Sequence, residues 1–130
     1  MRVLLFLSVF GLLFLTGCGK KPEIGIFDPH GKQVASLELD GDGALVKKSG
    51  LDIGHVEGDD IFAENGKNVG TVMLEDSRVL IADMRGNAVG SLEKETDCFG
   101  KTAAIMGRIG EKIEPTIAAG ACYLALLANK

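Results

Sequence analysis

Four segments of this chain align without gaps on the pattern Gly-x-x-(Val/Ile)-(Gly/Ala)-x-(Leu/Val). They run from Gly31 to Leu37, Gly50 to Val56, Gly66 to Val72 and Gly86 to Leu92. A fifth, Met106-Gly107-Arg108-Ile109-Gly110, matches loosely, with its turn glycine Gly107 displaced by one and Ile113 in the last apolar place. The Val/Ile positions then fall at 34, 53, 69, 89 and 109. A unit recurring at such a spacing cannot bury its own apolar face, so its copies must pack on one another.

Each copy follows a short run of β-forming residues, taken as 24–28, 44–48, 60–64, 79–83 and 102–106. Turn residues separate each run from its motif, among them Pro29-His30-Gly31, Ser49-Gly50, Asn65-Gly66 and Arg85-Gly86. Glycine adopts the positive φ that tight hairpin turns need, so each copy reads as one antiparallel β-hairpin. Acidic or glycine-rich links such as Asp40-Gly41-Asp42-Gly43 and Gly58-Asp59 join the hairpins. The second small residue of each motif (Ala35, Gly54, Gly70, Gly90, Gly110) falls inside a strand, where glycine marks a bulge or a close backbone approach. A bulge also resolves a problem of parity, because Val34 and Leu37 are three apart and would otherwise face opposite sides.

Residues 115–128 begin at Pro115, are dominated by Ala and Leu and contain no charge. Proline suits a first helical turn, and the composition favours a helix. With no polar face it must be buried on every side or lie in lipid. Twelve residues from Ile117 to Ala128 are too few to span a bilayer. A 14-residue helix is about 21 Å long, close to the roughly 20 Å of a six-residue strand. The helix therefore fits inside a small barrel or flower of about five hairpins, with the strand glycines making room for it. A helix lying in the bilayer surface ranks below burial, since the segment lacks the charged face of such helices.

Residues 24–128 resemble Tubby-C-terminal-like domains, which wrap hairpins with G-x-x-V-G-x-I strands around an apolar C-terminal helix. Small bacterial β-flower lipoproteins look like a reduced version. The basic phosphoinositide-binding surface of true tubby domains has no counterpart in this chain, so that activity is not carried over.

At the other end, Arg2 precedes a thirteen-residue, largely apolar run from Val3 to Leu15. The run is too short to span a membrane and fits the core of a signal peptide. It ends in Leu15-Thr16-Gly17-Cys18, which resembles the lipobox of bacterial lipoproteins. The resemblance implies cleavage between Gly17 and Cys18 and a diacylglyceryl group on the Cys18 sulfur. One acyl chain holds a protein only marginally, whereas two or three hold it firmly. The expected organisation is a signal peptide at 1–17, a lipidated tether at 18–23 and a hairpin domain at 24–130. Gly19, rather than aspartate, follows the cysteine. In a Gram-negative cell that pattern resembles lipoproteins sent to the outer membrane, here on its periplasmic face. Lys20-Lys21 would lie against anionic headgroups.

The mature chain would hold 13 basic and 18 acidic residues, a net charge of −5. Its aromatic residues reduce to Phe27, Phe62, Phe99 and Tyr123. An acidic chain without aromatic platforms argues against nucleic acid and against sugars. Cys98 and Cys122 remain after lipidation. Both a disulfide and two buried thiols are compatible with the sequence.

Of the two histidines, His30 sits in a turn and His55 takes the place held by Ser36, Thr71 and Ser91, an outward strand position. No nucleophile elbow, zinc-protease helix or phosphate loop occurs. Asp40-Gly41-Asp42-Gly43 invites calcium, but Ala44 stands where a further acidic ligand is needed. No catalytic residue, metal or cofactor is expected beyond the lipid on Cys18. The expected function is a non-enzymatic envelope lipoprotein whose hairpin loops meet a protein or lipid partner. The alternative is a lipid-handling protein that holds an acyl chain in its apolar interior.

Overall fold

A computed structural model describes residues 23–128. Ten strands follow in chain order: β1 Glu23–Phe27, β2 Gln33–Asp40, β3 Gly43–Lys48, β4 Leu51–Glu57, β5 Asp60–Ala63, β6 Asn68–Leu74, β7 Arg78–Asp83, β8 Ala88–Glu93, β9 Asp97–Gly100 and β10 Ile105–Ile109. Each pairs antiparallel with the next, and β1 pairs with β10 through Ile26–Ile109, closing the barrel. Closure leaves no free edge for a second sheet to extend. The five expected hairpins are β1–β2, β3–β4, β5–β6, β7–β8 and β9–β10.

The bulge expected from parity recurs in every hairpin. Pairing skips Val34, Ile53, Val69, Val89 and Met106, each just before a small residue of the second strand. Two consecutive side chains can then aim inward, and Ile53, Val69 and Val89 do pack against the core.

The fifth copy needs correcting. Met106 takes its bulge and Gly107 its small-residue place, so Gly107 lies within β10 rather than in a turn, and Gly110 follows the strand. The outgoing strand is Asp97–Gly100, not 102–106. Gly31, Gly50, Gly66 and Gly86 are turn glycines, with φ between 79° and 87°. The fifth turn position is Ala103, held at φ 65°. Its amide donates to the Gly100 carbonyl as those of Gly31, Gly66 and Gly86 donate to Asp28, Ala63 and Asp83. The motif failed to align here because alanine occupies a position that the backbone reserves for glycine.

After Ile109 the chain crosses one end of the barrel and turns inward. Helix α1, Pro115–Cys122, continues into a π-helical turn, Tyr123–Leu127, closed by the Ala128 amide on the Tyr123 carbonyl at 2.7 Å. Ile117 to Cys122 are all buried. The bore is narrow, which accounts for the small residues of α1: a Cβ on Gly120 would come within 2.6 Å of a Val56 methyl.

The strand glycines form a belt around the far end of this plug. Tyr123 faces Gly70, Leu124 faces Gly54, Leu126 faces Gly107 and Leu127 faces Gly90, where added Cβ atoms would lie 3.7, 2.9, 2.8 and 2.7 Å from those side chains. An i→i+5 turn places more side chains per revolution than an α-helix does. That suits a wall built from five hairpins.

Candidate functional site

The barrel has two unlike ends. At the turn rim lie the loops inside the hairpins, 28–32, 49–50, 64–67, 84–87 and 101–104. At the link rim lie the connections between hairpins, together with the crossing segment 110–114. Strand β1 enters at the link rim, since Glu23 pairs with Glu38 and Phe27 with Gln33. The plug also starts there, with Ile113, Glu114 and Ile117 beside Leu39 and Gly43. It ends at the turn rim, with Leu127 and Ala128 beside Lys101 and Thr102.

Charge is segregated between these ends. The links and their flanking strand ends (40–43, 57–60, 74–78, 93–97), together with 110–114, hold twelve acidic and three basic residues. Two of those cations are paired, Lys112 with Glu95 at 3.2 Å and Arg78 with Glu75 at 3.4 Å. The turn loops with one flanking residue each side hold three acidic and five basic residues. Each turn contributes one cation: Lys32, Lys48, Lys67, Arg85 and Lys101. Among the described residues no ion pair engages any of these five, whereas the wall residue Lys47 pairs with Glu38 at 3.8 Å.

Two of the turn-rim carboxylates are committed to the loops themselves. Asp28 Oδ1 accepts the amides of Lys32 and His30, both at 2.9 Å. Asp83 Oδ1 accepts those of Asn87 at 3.0 Å and Arg85 at 2.9 Å. The Lys32 amide holds the Asp28 carboxyl below its usual value, and the Asn87 amide does the same for Asp83. These side chains build the turns, in which Lys32, Lys67, Arg85 and Lys101 are exposed and Lys48, at the end of β3, is half-buried. Exposed apolar side chains interrupt the cations: Leu51 is 70% exposed, Met84 58% and Ile105 47%.

The other sequence candidates fall as follows. Cys98 and Cys122 are joined in a disulfide, Cα atoms 6.0 Å apart, both fully buried, tying the plug to β9. His55 stacks on Phe62 across the outer face, ring centres 4.8 Å apart, with Nε2 3.6 Å from Glu57. That is the outward strand position expected for it. His30 is exposed in the first turn. Asp40 to Gly43 form the tight link between β2 and β3. Among the described residues no three His, Cys, Asp or Glu side chains are grouped to hold a metal, and no helix is long and apolar enough to cross a membrane. Gly17 and Cys18 lie outside the described residues. Sequence reading caught the acidic links one by one but missed their convergence on one rim, because that depends on the up-and-down topology.

No family model, curated protein or solved structure matches the chain.

Proposed function

We propose that this protein is a lipid-anchored, non-enzymatic module of the bacterial envelope that presents the turns of its barrel to a partner. The observation that carries the reading is the placement of Glu23, the first described residue, at the link rim. The expected tether, residues 18–23, leads into that rim, so a lipid on Cys18 would hold the barrel by its link end. The lipobox resemblance and the likeness to β-flower lipoproteins supply the anchor and its compartment, and a buried disulfide suits an oxidising compartment.

The alternative, an acyl chain held inside the barrel, has less support. Helix α1 and its π turn occupy the bore, and the Cys98–Cys122 bond ties the plug to the wall. Admitting a chain would require a covalently fixed helix to move.

Fractionation of cells expressing the wild type and Cys18→Ala tests the anchor. The wild type should sediment with membranes and remain there after a salt wash. The variant should lose the lipid. Release of the wild type into the soluble fraction would sink the proposal.

A further inference from the structure

We infer that the turn rim is a seat for an anionic bilayer, the one that carries the proposed lipid at Cys18. This rests on the anchor reading above and names the partner of the turns. Each turn contributes one cation, and among the described residues none of the five is ion-paired. Leu51, Met84 and Ile105 stand exposed beside them, from three different turns. The two ends of the barrel differ in sign, with five basic and three acidic residues at the turn rim against three and twelve at the link rim. A surface of anionic lipids attracts the first end and repels the second.

The tether permits that orientation. It joins the barrel at the link rim, through Glu23, whose partner is Glu38. From Cys18 to Glu23 the chain can extend about 17 Å. Strand β1 has five residues and spans about 13 Å from its first Cα to its last. Barrel strands tilt by roughly 40°, so the rise along the axis is only about 10 Å. The tether can therefore run back beside β1 and bring Cys18 level with the turns. Every anchored copy then keeps the bilayer within a chain length of the rim, at a high effective concentration. The make-up of the rim favours lipid over a protein partner. Four of the five cations are lysines, which protein interfaces deplete while enriching arginine and aromatic residues. At a membrane, lysine stems cover apolar surface while their ammonium groups reach the headgroups. Apolar tips from three separate turns can meet one flat surface together.

The test takes the protein extracted from membranes of cells that express the full chain. It is added to vesicles of phosphatidylcholine, either alone or with about 30% phosphatidylglycerol to supply the negative surface. A polarity-sensitive fluorophore is attached at Met84→Cys on the turn rim or at Leu74→Cys on the link rim, and a brominated lipid serves as quencher. With phosphatidylglycerol present, emission from position 84 should shift to the blue and be quenched. Emission from position 74 should stay that of water in both vesicles. The ratio of seated to free copies should fall about tenfold or more in the triple variant Lys67→Glu, Arg85→Glu, Lys101→Glu. It should fall comparably in about 0.5 M salt, a perturbation that needs no folded variant.

Emission at position 84 that stays that of water with phosphatidylglycerol present overturns the inference. So does quenching indifferent to lipid charge, charge reversal and salt, or quenching at position 74 as strong as at position 84. Shielding of position 84 in the cell's own membranes but not in vesicles would assign the rim to a protein. Shielding that grows with protein density would assign it to a second copy, and either result overturns the inference. Failure of the anchor reading looks different. The protein would then carry no lipid and leave phosphatidylcholine vesicles altogether, while position 84 still showed salt-sensitive quenching with phosphatidylglycerol.

Discussion

Gly120 decides whether α1 lies inside the barrel at the register described. In an exposed helix, Gly→Ala raises stability by about 0.5–1 kcal/mol through backbone entropy. Here the new Cβ would lie 2.6 and 2.7 Å from the two Val56 methyls and 3.2 Å from their Cβ. Rotating the valine cannot clear the clash, because Cβ itself is close and the side chain is stiff at χ1. Overpacking of this kind costs about 1–3 kcal/mol, which outweighs the gain in propensity. Gly120→Ala should therefore destabilise by about 1–2 kcal/mol. Val56→Ala alone removes two methyls from a side chain only 1% exposed, at a cost of about 2 kcal/mol. In the double variant the new Cβ occupies space the methyls vacate. Its loss should be about 2 kcal/mol rather than the additive 3–4. Urea unfolding of the four proteins measures the cycle. A stabilising Gly120→Ala, or strict additivity, would refute the placement of the helix.

Ala103→Gly should stabilise by about 0.5–1 kcal/mol, because the position is held at φ 65° and glycine removes the left-handed penalty. Gly86→Ala should cost about 1 kcal/mol by the same reasoning, since nothing lies within 4 Å of the added Cβ and backbone conformation is the sole cause. Thermal or urea melts check both. Removing the Cys98–Cys122 bond by Cys98→Ala/Cys122→Ala, which frees partners 24 residues apart, should lower stability by about 3 kcal/mol in urea unfolding. Asp28 and Asp83 titrate below the ordinary value of 3.8. The stability they add is thus complete above that pH and is lost as pH falls through their lowered values. Urea midpoints between about pH 5 and pH 2 should fall less steeply in Asp28→Asn/Asp83→Asn than in the wild type.

Most of the barrel was legible because its code is local. Turn glycines, β-type runs and a bulge demanded by parity recur in register, and an uncharged terminal helix of strand length has one comfortable place to go. The misreading of the fifth hairpin has a local cause too. Ala103 lacks the glycine signature while its backbone keeps the glycine conformation, so the motif slid onto Gly107 and Gly110. Two features depended on topology. The pairing of Cys98 with Cys122 needed the helix inside the wall at a particular height. The contrast between the rims needed alternate loops sorted to opposite ends, which only an up-and-down barrel does.

The anchor proposed here is a lipid at Cys18 that holds the barrel by its link rim. Intact mass of the protein extracted from membranes tests it most directly. The extracted chain should begin at Cys18, carry diacylglyceryl or triacyl mass and be two hydrogens short of the fully reduced form. A mature chain of unmodified mass, or one that keeps residues 1–17, would contradict it.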